Sequence, residues 1–142
     1  MGSRRNGRIL AMQALFAWDM SGAALEELCS FRWIDDAQAP KYDDSTRDFA
    51  RLLIAGVLEN IEAVDDAIRA HLEHWDFTRI AKVDLAVLRL GVYSLRFQPD
   101  IPASVSIDEA IEIAKEFSGD EAYRFVNGVL DGVRKQLARN GA

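Results

Sequence analysis

The chain has 142 residues, of which 49% are apolar and 28% are charged. This length predicts one domain, and this apolar content is enough for a packed core, which excludes a disordered chain. The single cysteine, Cys29, excludes an internal disulfide framework and favours a reducing compartment. We find no apolar run of about 18 residues that could span a bilayer and no signal-peptide pattern at the start, so we expect a cytoplasmic protein that does not associate with a membrane.

The charge is distributed unevenly. The formal net charge is −6, which by itself argues against nucleic-acid binding. Residues 1–18, however, contain three arginines and no acid, and residues 122–142 contain four bases and one acid, whereas residues 19–121 contain 10 bases and 22 acids. The basic ends are either ordinary solvated termini or, if the fold brings them together, a cationic patch.

Apolar residues recur at helical spacing along almost the whole chain. In the first half, this spacing predicts helices over about 4–20 and 23–33, and a loop over 35–42. A third helix begins near 44–46 and continues as one apolar stripe to Leu72, which makes it longer than about 25 residues.

The second half of the chain follows the same pattern. A helix over 79–97, capped by Thr78, is apolar on nearly every side and is therefore expected at the centre of the fold. Prolines predict a turn over 98–103, and Ser106 with Glu109 forms a capping-box pattern that predicts the next helix start. A last helix covers about 121–138. We predict an all-α bundle of six or seven helices.

The sequence contains little that indicates catalysis. It has no phosphate-binding glycine loop, HExxH or CxxC motif, and no nucleophile–base pair. His71, Glu73 and His74 could share a metal, but no second ligand cluster accompanies them. The carboxylates of residues 109, 112 and 116 share a helix face without the Glu-x-x-His partners of a carboxylate–metal bundle, so a solvated face is favoured. We predict a non-catalytic protein without metal or cofactor.

The last helix carries the most informative pattern. If its apolar stripe faces the core, Phe125 falls at the boundary with solvent and Arg124 points outward. Gly128 and Gly132 lie on the same outer side, although glycine weakens a helix, which favours a close backbone approach there. A half-exposed ring beside a cation is typical of single-stranded RNA recognition. The alternative is that Phe125 covers the core edge and the glycines allow tight helix packing.

Four stretches of the chain resemble the NusB family of bacterial transcription antitermination factors. They are the arginines of 4–8 followed by AMQALFAW at 11–18, VDLAVLRL at 83–90, VSIDEAIEIAK at 105–115 and FVNGVLD at 125–131. The resemblance implies one domain, 1–142, folded as a compact bundle of about seven helices in two packed sub-bundles, roughly 4–72 and 73–138. Asn6 and Gly7 interrupt the arginine cluster and thereby depart from the family pattern.

The resemblance also implies a function. It implies binding of boxA-type single-stranded RNA together with the small-subunit ribosomal protein NusE, and action on RNA polymerase in an antitermination complex during rRNA transcription. The free protein is expected to be a monomer or a homodimer. The implied RNA-binding residues are Arg4, Arg5, Arg8, Glu121, Arg124, Phe125 and Asn127, and the implied partner-binding residues are Phe16, Asp84 and Arg89. We therefore expect the fold to bring the two basic ends together as one RNA-facing patch beside Phe125.

Two other functions remain open at this point. NusB-like domains also occur as accessory domains of rRNA methyltransferases, which would make the chain part of a longer protein. A helical protein-interaction module without an RNA role is the second alternative, and it predicts no RNA contact at either basic end.

Overall fold

The computed structural model describes residues 3–73, 76–119 and 121–141. Within them the chain forms seven α-helices and no strand, which confirms the all-α prediction. The helices are α1 (Ser3–Ser21), α2 (Leu25–Ser30), α3 (Asp44–Glu59), α4 (Ile61–Arg69), α5 (Lys82–Phe97), α6 (Ala103–Phe117) and α7 (Ala122–Gly141), with 3-10 turns at Ala39–Lys41 and Phe77–Arg79. None of the helices in the described ranges is long and apolar enough to cross a membrane.

Helix α5 lies at the centre of the bundle, as its all-round apolar pattern predicts. It packs against α1, α3, α4, α6 and α7, and most of its residues are buried. Because α5 contacts helices from both halves of the chain, it joins them through one continuous core. The division into sub-bundles at 4–72 and 73–138 stays a prediction.

The directions of α1 and α7 relative to α5 determine where their ends lie. Asp19, near the end of α1, contacts Lys82 at the start of α5, so α1 runs antiparallel to α5. Phe125, near the start of α7, lies beside Asp84, whereas Leu130 packs on Gly91, so α7 runs parallel to α5. The first turns of α1 and α7 are therefore at opposite ends of the central helix.

The single long helix predicted to Leu72 is wrong, because it breaks at Asn60. This residue leaves the helical conformation, with φ −117° and ψ 24°. Its side-chain amide donates to the Gly56 carbonyl oxygen at 2.8 Å, and its backbone N–H also reaches Gly56. Asparagine competes in this way for helical acceptors, and α4 then begins at Ile61. The apolar stripe continues through the break, so periodicity gave no sign of it.

The predicted second helix is also shorter than expected. It ends at Ser30, because Phe31 adopts the left-handed conformation with φ 57°. The Phe31 side chain is 3% exposed, so burial of the ring accompanies the turn. The Trp33 indole N–H then donates to the Leu28 carbonyl oxygen and closes the loop over the end of α2.

Two predicted caps do not form. Thr78 lies in a 3-10 turn, four residues before α5 begins, and donates its backbone N–H to the Asp76 carboxylate. Helix α6 begins at Ala103, after Pro102, so Ser106 is inside the helix and not at its start. The capping-box prediction is wrong because the helix starts three residues before Ser106, with Pro102 as its N-cap residue. The Glu109 carboxylate pairs with Arg5 instead.

Candidate nucleic-acid interface

The arginines of the first turns of α1 surround one aromatic ring of α3. The Arg4 guanidinium carbon is 5.0 Å from the centre of the Phe49 ring, and that of Arg8 is 5.4 Å from it. A Cβ at Gly7 would come within 2.7 Å of Phe49 Cδ2. Gly7, the departure from the family pattern, therefore lets the ring lie directly against α1.

Arg5 is held by a carboxylate of α6. Its Nε donates to Glu109 Oε1 at 2.9 Å and its Nη2 to Oε2 at 2.7 Å. This hydrogen bonding holds the pKa of Glu109 below its usual value, although partial burial acts in the opposite direction. The pair ties α1 to α6 and neutralises part of the positive charge of Arg5.

Arg8 is inside the protein rather than at its surface. It is 7% exposed and lies among Leu53, Leu90 and Ala110, which belong to three different helices. Burial lowers the pKa of its guanidinium. The structure therefore does not present Arg8 as an open phosphate-binding cation, and its contact is with the ring of Phe49.

The three polar residues predicted around the start of α7 are exposed. Arg124, Glu121 and Asn127 are exposed, and Arg124 Nε lies 3.6 Å from Glu121 Oε1. Phe125 is half-buried, at the boundary that the helical pattern predicts. It separates two depressions: one of about 440 Å³ extends towards His71 and Gly128, and one of about 330 Å³ extends towards Ile80 and Asp84.

The two glycines of α7 have different surroundings. A Cβ at Gly128 would meet nothing within 4 Å, so this position leaves the floor of the depression open. A Cβ at Gly132 would come within 2.6 Å of His71 Cδ2, so this glycine allows the turn after α4 to approach α7. Of the two alternatives raised by the sequence, tight packing explains Gly132 but not Gly128.

The structure does not bring the two basic ends together. Arg8 lies near Ser94, in the last turns of α5, whereas Phe125 lies near Asp84 in its first turn. Ten helical residues between these levels correspond to about 15 Å. The expectation that the N-terminal arginines flank Phe125 in one strip is therefore corrected: opposite helix directions separate them.

The predicted partner-binding residues differ in exposure. Phe16 is half-buried, and Asp84 is nearly buried and accepts a hydrogen bond from the Ser118 hydroxyl. Arg89 is 4% exposed and forms an ion pair with Asp65, so its side chain is held inside the protein. Its ring neighbour is Trp18, 5.4 Å from the guanidinium carbon.

The structure also shows contributors that the sequence interpretation missed. Phe49 was only one member of an apolar stripe, and Glu109 was taken as a cap. Both contact arginines that are distant in sequence, and local spacing carries no signal of such a pairing.

Within the described ranges, no group of three or more His, Cys, Asp or Glu side chains is arranged to hold a metal ion. His74 of the candidate cluster lies outside those ranges.

Comparison with known proteins decides the family. The NusB family model matches residues 5–135. The chain belongs to the NusB family. A transcription antitermination protein NusB of Treponema pallidum (strain Nichols) is 52% identical over 132 residues, which cover 93% of this chain and 92% of the relative. Family membership confirms the resemblance seen in the sequence and the prediction of a non-enzymatic protein.

Solved structures agree with this assignment. A T. maritima NusB structure is 40% identical, has a TM-score of 0.82, and is matched over 94% of this chain and 91% of that one. A structure of the antitermination factors NusB and NusE in complex with dsRNA is 27% identical, with a TM-score of 0.81 over 96% of this chain and 98% of that one. The seven-helix bundle is thus the NusB fold.

Proposed function

We propose that this protein is a transcription antitermination factor of the bacterial cytoplasm that binds boxA-type single-stranded RNA together with the ribosomal protein NusE and acts on RNA polymerase. The RNA part of the proposal depends on the arrangement of side chains at the start of α7. There a half-buried Phe125 stands beside the exposed Arg124 and an open depression over Gly128. Support for the partner comes from the similar NusB structure that contains NusE and dsRNA.

Because the two basic ends lie apart, a bound RNA strand must run along the protein surface from one to the other. A base stacks on Phe125, and Arg124 contacts a neighbouring phosphate. To reach Arg4, one turn of α1 beyond Arg8, the strand crosses more than the roughly 15 Å between the levels of Asp84 and Ser94 on α5, so several nucleotides lie between the two contacts. The RNA therefore has two contact regions joined by a bridging segment.

The partner surface adjoins the α7 site. Asp84 lines the depression on one side of Phe125, and Phe16 belongs to the half of α1 that lies at the same end of α5. The acidic middle of the chain is complementary to a basic ribosomal protein. Such a partner supplies further phosphate contacts beside Phe125, so the pair binds RNA more tightly than this chain alone.

The experiment measures the affinity for boxA-type and scrambled RNA, with and without NusE, over a range of salt concentrations. We expect a gain on adding NusE and a preference for the boxA-type sequence. Phe125→Ala should lose about 1–3 kcal/mol of RNA binding, whereas Phe125→Tyr, which keeps a stacking ring, should retain most of it. Full affinity in the alanine variant, or no gain with NusE, would contradict the proposal.

A further inference from the structure

The aromatic ring of Phe49 contacts the guanidinium groups of two arginines, Arg4 and Arg8. Its half-buried ring lies within 5.0 Å of the Arg4 guanidinium carbon and 5.4 Å of that of Arg8. These arginines are four residues apart and therefore share one face of α1. A ring facing both of them attracts their charge through the negative face of its π-system.

The local backbone is fitted to this ring. A Cβ at Gly7 would meet Phe49 Cδ2 at 2.7 Å and the Thr46 carbonyl oxygen at 3.2 Å. Thr46 is 2% exposed and fixes the first turn of α3, where its N–H donates to the Asp43 carboxylate at 2.8 Å. The Phe49 ring is therefore supported by the capped first turn of α3, and it fills the space that the missing side chain of Gly7 leaves on α1.

The three N-terminal arginines are not equivalent at the surface. Arg8 is buried, and Arg5 uses two of its donor groups on Glu109. Arg4 is exposed, and among the described residues its guanidinium contacts the Phe49 ring without an ion pair to any carboxylate. Arg4 is thus the N-terminal cation whose hydrogen-bond donors remain available to a phosphate.

We propose that Phe49 is a positioning residue for RNA binding, which holds the Arg4 guanidinium ready for a backbone phosphate. This inference rests on the proposed RNA-binding function. A long arginine side chain loses conformational freedom when it binds a ligand, and a ring that has already ordered it reduces this loss. Arg8 contributes by packing on the same ring, and Arg5 contributes less because Glu109 already pairs with it.

The test uses the full chain with NusE and boxA-type RNA. Phe49→Leu keeps an apolar side chain of similar size but removes the ring face, and we expect RNA affinity about two- to five-fold lower. Phe49→Tyr restores the ring face and should restore the affinity. The Arg4→Ala/Phe49→Leu double variant should bind no more weakly than Arg4→Ala alone, because Phe49 acts through Arg4. Equal losses for Phe49→Leu in both backgrounds would overturn the inference.

A second comparison does not depend on altering the packing of Phe49. Arg4→Ala should weaken RNA binding more than Arg5→Ala, and it should reduce the salt slope by about 0.7 for one lost phosphate contact to a single strand. The reverse order would overturn the inference. If the unaltered protein with NusE does not bind boxA-type RNA, the proposed function itself fails. If it binds and Arg4→Ala retains full affinity, only the role of Phe49 and Arg4 is overturned.

Discussion

Arg89 and Asp65 form a two-point ion pair inside the protein, with Nε 2.9 Å from Oδ1 and Nη2 3.0 Å from Oδ2. A second carboxylate, that of Asp19, lies 3.4 Å from Arg89 Nη1. The three residues belong to α5, α4 and α1, so one guanidinium connects the central helix with two helices of the N-terminal half. The position makes Arg89 a structural residue.

Replacing Arg89 with alanine should destabilise the fold strongly. The substitution leaves the carboxylates of Asp65 and Asp19 without their buried cation, and breaking a buried ion pair from one side costs about 3–5 kcal/mol. Chemical denaturation measures the free energy of unfolding. Arg32→Ala is the control, because Arg32 and its partner Glu27 are exposed, and its loss should be less than about 1 kcal/mol.

Arg89→Lys separates the structural role from the implied partner contact. Lysine keeps the charge but not the two-point geometry, so we expect a loss of stability with unchanged affinity for NusE in the folded fraction. If the stability is unchanged while the affinity for NusE falls, Arg89 belongs to the partner surface after all.

Periodicity predicted where the chain is helical, but neither the break between α3 and α4 nor the contacts between the helices. The pattern of α5 predicted a central helix because almost every face of it is apolar, and this holds for a helix that packs against five others. The break at Asn60 depends on one side-chain hydrogen bond within an uninterrupted stripe. Arg5 pairs with Glu109 across 104 positions, and local spacing contains no information about such a contact.

Local spacing also predicted only part of the candidate site. Its polar and aromatic residues at the start of α7 could be placed on the helix surface by counting 100° for each residue. Whether the basic N-terminus meets them depends on the directions of α1 and α7 relative to α5. Those directions follow from the packing of the whole bundle, so the two ends were expected together and are found apart.

Removing the charge of Glu109 should change the pH dependence of stability. Hydrogen bonding from Arg5 holds the pKa of Glu109 below its usual value of 4.5, so the folded state favours the ionised carboxylate. This contribution is fully present above pH 4.5 and is lost as the pH falls through the lowered pKa. We therefore expect the wild type to be more stable than Glu109→Gln at pH 7.

The measurement compares the free energies of unfolding of the two proteins from pH 7 to pH 3. The difference between them should shrink below about pH 4.5 and disappear once the carboxyl group is protonated in both states. Glu112→Gln on the same helix is the control, because Glu112 is exposed and its partner is the neighbouring Lys115. A difference that grows on acidification would contradict the assignment.

The two glycines of α7 should respond oppositely to alanine. At Gly128 the new methyl group meets nothing within 4 Å, so Gly128→Ala should stabilise the helix by up to about 1 kcal/mol. At Gly132 it would come within 2.6 Å of His71 Cδ2 and displace a ring whose Nδ1 lies 3.0 Å from the Ala67 carbonyl oxygen. Gly132→Ala should therefore be less stable than the wild type, whereas Gly128→Ala should be more stable.

Thermal unfolding measures this difference, and RNA binding adds a second readout. The methyl group of Gly128→Ala enters the depression beside Phe125, so the more stable variant should bind boxA-type RNA more weakly. A gain in both stability and RNA affinity would mean that no nucleotide lies over Gly128.

Ser106 provides the last test, because its sequence context and its position in the fold predict opposite results. As the cap of a helix, its replacement by alanine would cost about 0.5–2 kcal/mol. In the structure Ser106 lies within α6, and its hydroxyl is buried without a hydrogen-bond partner among the described residues. An unpaired buried polar group is unfavourable, so Ser106→Ala should leave the free energy of unfolding unchanged or raise it. Asp43→Ala, at the N-cap of α3 where the carboxylate accepts the Thr46 N–H, should lower it under the same conditions. A loss in Ser106→Ala comparable to that in Asp43→Ala would restore the capping interpretation and place the start of α6 at Ser106.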